Sequence, residues 1–383
     1  MSDHSAPPRI LITLMGLSPE ENGAQATRTI SLLNVIQNEF PETYLTMKEG
    51  IRSTQDQNYH LIQPLIPLGG RLPLLKEIFF RIQMTLSIIR FIRQKEITSI
   101  IIRGYDTILF IPYLKLRNIK IFHDFHGRYD LELIQNNRHL RALFVKICNR
   151  IILHYADRIL VVSRGTQAQI PEHHHKCLLL QNGVDIRKIE DARNREPVIY
   201  LPQNNYVVGF IGNWESFMNI EDICDAVKSR SDITALIIGR GYRFEEVTSR
   251  YSACQNIIFT GNINQEQAYA TLNQADVCII PYDKNDTHSR YKNFFSSRKT
   301  KEYLALGKPI IVSDTIGREQ YLTEGRNCLT YKSRNPEDLA RKITILKNNP
   351  ALAEEMSKNN TELARQFTWK KVIQDSGILS ELR

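Results

Sequence analysis

The stretch "SSRKTKEYLALGKPIIVSD" (296–314) combines a short helix with an apolar strand. Its first helical turn, in a helix predicted over 297–306, carries three cations, Arg298, Lys299 and Lys301. A helix N-terminus carries about half a positive charge, so cations placed there cost about 0.3–1 kcal/mol unless an anion binds beside them. The pattern therefore predicts an anion-binding site at the start of this helix.

Strand-like and helix-like segments alternate on both sides of this stretch. The strand-like runs are 9–15, 97–103, 119–125, 157–163, 206–212, 233–239, 256–261, 275–282 and 308–314. Alternation at this spacing is typical of parallel, doubly wound α/β sheets. We predict two Rossmann-like domains, 1–185 and 195–365, joined by a polar linker (186–205) without clear periodicity. The last helix, 368–383, is expected to pack back on the first domain.

Lys299 and Glu302 are the leading candidates for ligand binding. In doubly wound sheets ligands bind at the carboxyl ends of the strands, so a cleft between the two domains is the expected active site. Lys299 and Glu302 lie three residues apart, which places them on one face of the helix. Lys299 would neutralise a phosphate and Glu302 would accept ribose hydroxyls. A solvated Lys–Glu pair is the alternative, but the position at a helix N-terminus after a parallel strand favours a ligand.

Composition limits the class of protein. The 383 residues carry a net charge of +9 and a pI near 9.2, which fits anionic partners. Clusters of Arg and Lys interleaved with aromatic residues are not evident, so no nucleic acid partner is expected. Six scattered cysteines without a CxxC pair indicate buried thiols in a reducing compartment. The histidines of "PEHHHKC" (171–177) lack accompanying ligands, so we predict a polar loop and no metal site.

Two further features concern location. The first residues, "MSDHSAPPRILITLMG" (1–16), are unlike a signal peptide, and no apolar run approaches the ~20 residues of a membrane span. The segment 76–95 has the length of a membrane-surface helix, but its Arg and Lys residues do not gather on one face, so we predict a Rossmann core helix. A cytoplasmic protein is expected, and peripheral contact with the inner face of the membrane is left open.

Segments in a fixed order give the chain its resemblance to a known family. They are "NGAQATRTISLL" (22–33), "LLLQNGVD" (178–185), "VVGFIGN" (207–213), "ALIIGRG" (235–241), "IIFTGNI" (257–263), "ADVCIIPY" (275–282), "SRKTKEYLALGKPII" (297–311), "LTEGRNCLTYKSRNPEDLARKI" (322–343) and "RQFTWKKV" (365–372). Together they resemble the family 4 glycosyltransferases of the GT-B fold, over nearly the whole chain. The resemblance implies two Rossmann-like domains facing a central cleft.

The resemblance also implies an activity. It implies retaining transfer of a hexose from a nucleotide diphosphate donor, a UDP- or GDP-sugar, to a glycan or lipid-linked acceptor in polysaccharide or cell-envelope biosynthesis. No metal or separate cofactor is expected, so protein cations and helix N-termini would stabilise the leaving diphosphate. The residues that match the family's catalytic positions are His126, Lys299 and Glu302. Those that match its donor-binding positions, besides Lys299 and Glu302, are Gly23, Asn213, Arg240, Ile263 and Arg298.

Two of these assignments have structural alternatives. His126, in "FHDFHGRYD" (122–130), matches the family histidine beside the transferred sugar, where an imidazole can hydrogen-bond near neutral pH. A structural histidine at a strand end is the alternative, and the neighbouring His123 and Asp124 rank lower because successive strand residues face opposite sides. Gly23 would allow close approach of the backbone to the ligand, or it is a plain strand-to-helix turn.

The chain departs from the family pattern at two places. Phe294 stands where the family often has a first Glu. Asn213 and Met218 lie in or near the slots of an Arg and a Lys that clamp the diphosphate, so Arg298, Arg290 or Arg240 would have to supply the charge. A catalytically inactive GT-B scaffold or nucleotide-binding protein therefore stays an alternative, as does an epimerase or phosphorylase on the same fold.

Overall fold

The computed structural model describes residues 7–14, 24–48, 59–62, 73–135, 137–202, 204–284, 297–315 and 321–383. The chain forms two compact units, Met1–Gln181 with Val372–Arg383, and Asn182–Lys371. The segment 182–185, predicted in the first domain, belongs to the second unit. The reason is packing: Val184 N donates to Phe367 O at 2.8 Å, and Gly183 lies so close to Trp369 that a Cβ would stand 2.6 Å from its ring.

The described part of the first unit contains a seven-stranded parallel sheet in the order β3-β2-β1-β4-β5-β6-β7. Its strands are β1 (Ile10–Leu14), β2 (Thr43–Lys48), β3 (Tyr59–Ile62), β4 (Ser99–Ile102), β5 (Lys120–Phe125), β6 (Arg158–Val161) and β7 (Cys177–Leu179). Its helices are α1 (Ala24–Glu39), α2 (Pro73–Gln94), α3 (Ile111–Leu116), α4 (Tyr129–Gln135), α5 (His139–Tyr155) and α6 (Arg164–Ala168), with 3-10 turns at Tyr105–Phe110 and Pro171–Lys176.

The described part of the second unit contains a six-stranded parallel sheet in the order β10-β9-β8-β11-β12-β13. Its strands are β8 (Tyr206–Ile211), β9 (Ile233–Ile238), β10 (Ile257–Gly261), β11 (Val277–Ile280), β12 (Ile310–Ser313) and β13 (Cys328–Tyr331). Its helices are α7 (Ile186–Arg193), α8 (Ile220–Val227), α9 (Phe244–Arg250), α10 (Gln265–Leu272), α11 (Arg298–Ala305), α12 (Pro336–Asn348) and α13 (Pro350–Ala364), with a 3-10 turn at Arg365–Phe367. Helix α14 (Trp369–Asp375) begins in the second unit and ends in the first, and α15 (Ile378–Leu382) belongs to the first.

Both sheets have the doubly wound architecture that the alternating pattern predicted. The central strands β4, β9, β11 and β12 are buried along their whole length, as expected for parallel strands covered on both faces. In each unit the strand order reverses direction once, between β1 and β4 in the first sheet and between β8 and β11 in the second. Such a switch point is where the two flanking loops leave toward opposite faces and open a crevice.

Local structure differs from the prediction in three segments. The predicted linker contains α7, because Asp185 caps it by accepting from Lys188 N at 3.1 Å and because Ile189 packs in the core. The last helix is two helices, broken at Gly377, whose φ of 77° lies in the left-handed region. The histidine run, predicted as a loop, is a 3-10 turn, Pro171–Lys176.

Helix α2 is the core helix that the sequence predicted for 76–95. Phe80, Met84 and Ile88 are almost wholly buried against the first sheet. Its other face is less polar than expected, because Ile82 and Leu86 are 48% and 62% exposed. Within the described part of the chain, no helix combines the length and apolar character that crossing a bilayer requires.

Candidate functional site

The position of α11 is fixed by a tyrosine in its middle. Tyr303 is fully buried, and its hydroxyl accepts from Ile211 N at 3.0 Å and donates to Ile279 O at 3.5 Å. These two contacts join the helix to the ends of β8 and β11, the strands that flank the switch point of the second sheet. Ser297 caps the helix by accepting from Thr300 N. The N-terminus of α11 therefore lies at the carboxyl edge of the sheet.

Lys299 presents a cation at this edge. Its Nζ lies 4.6 Å from the centroid of the Phe210 ring and 3.7 Å from Met218 Sδ. Burial lowers the Lys299 pKa to about 8, although Glu302 and Glu215 oppose the shift. None of the described residues places a carboxylate within ion-pair distance of this Nζ. The ammonium is thus mostly charged at pH 7 and held by a ring and a thioether, not by an anion of the protein.

Glu302 lies one turn further along the helix and is 9% exposed. Its Oε1 accepts from Tyr269 OH at 2.8 Å and lies 3.3 Å from Arg298 Nη2. Tyr269 OH in turn accepts from Gln265 Nε2 at 2.7 Å. No described residue donates to Glu302 Oε2. One carboxylate oxygen is therefore fixed by the protein, and the other is available to a hydroxyl donor.

Two glycines keep the space beside Lys299 open. Gly212 follows β8 with a φ of 133°, and a Cβ there would stand 3.2–3.3 Å from Lys299 Cε and Nζ. Gly239 follows β9 with a φ of 110°, and a Cβ there would stand 2.3 Å from Gly212 O. Both backbone conformations are ones that residues with a Cβ rarely adopt. The loops after β8 and β9 can therefore approach each other and the lysine only because both positions are glycines.

The remaining predicted donor-binding residues are placed less favourably for an anion. Arg298 pairs with Glu302, and Arg240 pairs with Glu245 while stacking 5.0 Å above the Phe244 ring. Asn213 is exposed directly after Gly212, and Ile263 is half-buried after β10. Of the arginines proposed to replace the family clamp, Arg240 and Arg298 are thus already neutralised.

A polar cavity of about 370 Å³ lies within the second unit, next to Met218. Its lining includes Trp214, Met218, Glu221, Arg243, Asp283 and Arg334. Arg334 donates to both oxygens of Asp283 at 2.6–3.0 Å, and Arg243 lies 3.0 Å from Glu221. Because these charges are paired across the cavity wall, the cavity carries no obvious excess of either sign.

The first unit holds a second cluster, at the carboxyl end of β5. His126 Nε2 lies 3.0 Å from Asp124 Oδ2, and 29% of the His126 side chain is exposed. Arg28, which is fully buried in α1, donates to both Asp124 oxygens at 2.8 and 3.1 Å and also to the carbonyl of Leu180 at 3.0 Å. Arg103 Nη1 lies 3.6 Å from the same carboxylate. The cluster therefore links α1 to the ends of β5 and β7.

The charges of this cluster determine the protonation state and the tautomer of His126. Burial alone would raise the Asp124 pKa, but Arg28, His126 and Arg103 hold it well below its usual range, so the carboxylate is ionised. Burial and the charge of Arg103 lower the His126 pKa, against the opposing effect of Asp124. A neutral imidazole beside an ionised carboxylate carries its proton on Nε2. Its Nδ1 is then a hydrogen-bond acceptor that no described residue engages.

The sequence analysis did not identify Arg28 and Arg103 as parts of this cluster, and it ranked Asp124 below His126. Asp124 and His126 are two residues apart at the end of a strand, which places them on one side, whereas the prediction ranked Asp124 low together with its neighbour His123. His123 is buried, and its Nδ1 has no hydrogen-bond partner among the described residues. The sequence signal for Arg28 was a charged residue placed among the apolar positions of α1.

Some predictions lie outside the described residues. Gly23, Arg290 and Phe294 are among them. Among the residues that are described, no group of three or more His, Cys, Asp or Glu side chains is arranged to hold a metal ion.

Comparison with known proteins adds the family. Residues 192–363 match the family model of "Glycosyl transferases group 1", and residues 49–188 match that of "Glycosyltransferase Family 4". The uncharacterized glycosyltransferase MJ1069 of Methanocaldococcus jannaschii is 24% identical over 284 residues, which cover 70% of this chain and 70% of that protein.

Solved structures agree on the fold. Sucrose-phosphate synthase from Thermosynechococcus elongatus superimposes with a TM-score of 0.74 at 18% identity, covering 98% of both chains. The Anabaena protein Alr3699/HepE, solved in complex with UDP, gives a TM-score of 0.69 at 15% identity, covering 97% of this chain and 98% of that one. It has also been solved in complex with UDP-glucose. With two family models that together span most of its length, the chain belongs to the family 4 glycosyltransferases of the GT-B fold.

Proposed function

We propose that this glycosyltransferase moves a hexose from a UDP- or GDP-sugar to a glycan or lipid-linked acceptor, with retention of the anomeric configuration. The observation that carries the proposal is the pair Lys299 and Glu302 at the start of α11. One presents an ammonium that pairs with no described carboxylate, and the other a carboxylate oxygen that no described donor fills. The UDP and UDP-glucose complexes of Alr3699/HepE, which shares the fold, support a donor of this class.

In this proposal Lys299 stabilises the diphosphate. Negative charge grows on the leaving nucleotide diphosphate as the bond to the sugar breaks, so a cation fixed beside it is worth more in the transition state than in the ground state. The backbone N–H groups at the start of α11 add to the same effect. Their action requires no metal ion, so we propose that transfer is metal-independent.

Glu302 selects for ribose over 2′-deoxyribose in the nucleotide. Its open Oε2 accepts a ribose hydroxyl, while Tyr269 and Arg298 hold Oε1 and thereby the orientation of the carboxylate. A buried acceptor left without its donor costs about 1–3 kcal/mol, so the site favours a ribonucleotide over its 2′-deoxy analogue.

His126 acts on the transferred sugar in this proposal. Asp124 holds the proton on Nε2, which leaves Nδ1 to accept a hydrogen bond from a sugar hydroxyl. We expect His126→Ala to lower turnover while nucleotide affinity stays almost intact. Equal loss of nucleotide affinity would show that the residue is structural.

The decisive experiment is a hydrolysis screen over UDP-, GDP- and ADP-sugars, in which free nucleotide is measured with and without EDTA. The proposal expects release from a UDP- or GDP-sugar that EDTA leaves unchanged and that Lys299→Ala reduces. Once an acceptor is found, the proton spectrum of the product gives the anomeric configuration. Release that requires a divalent ion would contradict the metal-independent step.

An inactive nucleotide-binding scaffold is the competing proposal, and one observation favours it. Met218, at or near the slot of the family lysine, contacts Lys299 with a thioether in place of a second cation. In that case calorimetry would detect nucleotide binding, while no donor would be hydrolysed or transferred. Absence of both turnover and thermal stabilisation by every donor would exclude a role in nucleotide-sugar chemistry.

A further inference from the structure

Exposed apolar side chains are concentrated in one part of the first unit. Of the seventeen large apolar side chains that are exposed in the described part of the chain, thirteen lie between Ile78 and Tyr155. The other four, Val198, Tyr200, Tyr242 and Ile345, are scattered in the second unit. Scattered exposed apolar residues are normal, whereas a concentration of them marks a surface that binds something.

Helix α5 carries the most exposed of these side chains. Leu140, Leu143, Phe144 and Ile147 are 88%, 57%, 56% and 52% exposed. Their spacing of three, four and seven residues places them on one face of the helix. The opposite side of α5 buries Ala142, Val145, Cys148 and Ile152. The helix therefore has one apolar face in the core and a second one in solvent.

The solvent-facing apolar surface continues beyond α5. Ile78, Ile82 and Leu86 follow each other at four-residue intervals on α2 and are 46–62% exposed. The 3-10 turn Tyr105–Phe110 packs against both α2 and α5, and its Leu109 is 52% exposed. The exposed faces of α2, of this turn and of α5 together form what we call the basic apolar surface.

The charges described on this surface are positive, and the acidic residues in its segments are Glu77 of α2 and Asp106 of the turn. The sequence of α5 contains no Asp or Glu, while Arg141, Lys146 and Arg150 are exposed on it. On α2, Arg90 and Arg93 are exposed as well. A face that joins a large apolar stripe to cations matches an anionic lipid surface, where the apolar groups enter the headgroup boundary and the cations meet phosphates.

A second copy of the chain fits this surface less well. In a two-fold dimer the same patch meets itself, so the cations of one copy would lie against those of the other. The charge therefore favours a lipid bilayer over a symmetric protein contact.

We propose that the basic apolar surface docks the first unit on an anionic phospholipid bilayer. The inference rests on the proposed function in one respect, because it gives the place where the enzyme would meet a lipid-linked acceptor. Vesicle binding needs no turnover, so its failure and that of the glycosyl transfer are observed separately.

The test is flotation of the full chain with two kinds of vesicle, phosphatidylcholine alone and phosphatidylcholine mixed with phosphatidylglycerol. We expect binding to the anionic vesicles that weakens as salt is raised. Leu140→Ser with Leu143→Ser should lower the partition coefficient about tenfold or more. Lys146→Gln with Arg150→Gln should lower it by about fivefold per cation and reduce its salt dependence. The matched control is Tyr200→Ser with Ile345→Ser, two exposed apolar residues of the second unit, which should bind as wild type does.

Three outcomes would overturn the proposal. The first is no flotation of wild type with anionic vesicles at low salt. The second is equal loss in the control and in the Leu140/Leu143 variant. The third is a dimer in analytical ultracentrifugation that the Leu140/Leu143 variant dissociates while its vesicle binding stays unchanged, which would assign the surface to a second copy. All four leucine and cation sites are exposed, so circular dichroism should show unchanged folding.

Discussion

The two charged clusters at strand ends, one in each unit, differ in whether the protein satisfies their charges itself. In the first unit the Asp124 carboxylate accepts hydrogen bonds from Nε and Nη2 of Arg28, and both side chains are almost wholly buried. In the second unit the Lys299 ammonium faces a thioether and an aromatic ring. The first arrangement holds a neutral imidazole in one orientation, and the second leaves a cation for a ligand to neutralise.

This difference predicts opposite consequences of mutation. We call the Arg28–Asp124–His126 group the closed cluster. Removing one of its charges leaves a buried partner without compensation, so the loss should appear in the free energy of unfolding. We call Lys299 and Glu302 the open cluster. Removing the Lys299 charge removes an ammonium that is costly to bury in the free protein, so the loss should appear in ligand binding and not in stability. Four experiments test this contrast, from the largest expected effect to the smallest.

The largest effect should come from Arg28→Ala. It leaves the Asp124 carboxylate buried with the His126 N–H and with Arg103, 3.6 Å away, as its remaining partners, and breaking such a pair typically costs about 3–5 kcal/mol of the free energy of unfolding. The measurement is urea and thermal unfolding followed by circular dichroism at pH 7. Arg158→Ala is the control, because Arg158 pairs with Glu381 nearer the surface, where a pair contributes about 0–1 kcal/mol. If the two variants unfold at the same midpoint, the Arg28 cluster is not a closed structural unit.

The next effect should come from Lys299→Ala. A charge-assisted contact to phosphate contributes about 1.5–3 kcal/mol, so the affinity for UDP should fall roughly tenfold to a hundredfold while that for uridine stays nearly constant. Calorimetric titration of both ligands into wild type and variant measures this. Stability should not fall, since burial lowers the pKa of this lysine and its charge is costly in the free protein.

Arg240→Ala is the matched control for Lys299→Ala. Its guanidinium is exposed and pairs with Glu245, so its loss should change UDP affinity less than about threefold. A larger loss in Arg240→Ala than in Lys299→Ala would show that Arg240 leaves Glu245 on binding and supplies the missing clamp. GDP serves as the second probe in case the base is guanine.

The open cluster could be predicted from the sequence because its geometry is local. Helix periodicity relates Lys299 to Glu302, and Ser297 marks the start of the helix, so a few neighbouring residues contain the information. The closed cluster could not be predicted in the same way. The contact of Arg28 with Asp124 joins residues 96 positions apart, and no local pattern specifies such a pairing.

The same reasoning explains which strands the sequence predicted. Runs such as "ITALIIG" (233–239) are continuously apolar because both faces of the sheet are covered, and they were predicted close to their observed limits. Strands β2, "TYLTMK", and β3, "YHLI", mix polar residues into short runs and lie toward one edge of the first sheet. Their strand conformation depends on pairing, of β2 with β1 and of β3 with β2, which the sequence does not display.

A smaller effect is expected for Glu302→Gln. The amide keeps the size of the side chain but turns one acceptor into a donor, so uridine and UDP should both bind about fivefold to tenfold more weakly, and 2′-deoxy-UDP should lose less. Tyr269→Phe removes the hydroxyl that orients Oε1 but leaves the carboxylate, and it should therefore retain the preference for ribose. Equal losses for UDP and its 2′-deoxy analogue in Glu302→Gln would mean that the carboxylate does not contact the 2′-hydroxyl.

The smallest effect is a pH dependence that belongs to the open cluster alone. The Lys299 pKa is lowered to about 8 by burial, so the ammonium is present below that pH and is lost above it, whereas UDP, whose terminal phosphate has a second pKa of about 6, is already mostly ionised at pH 7. UDP affinity should therefore fall by about threefold between pH 7 and pH 8.5, because binding in that range must first protonate the lysine. Lys299→Gln should bind UDP weakly and with no such slope, and uridine should show no slope with either protein. A slope that persists in Lys299→Gln would assign the titrating group elsewhere, and the contrast between an open and a closed cluster would lose its electrostatic basis.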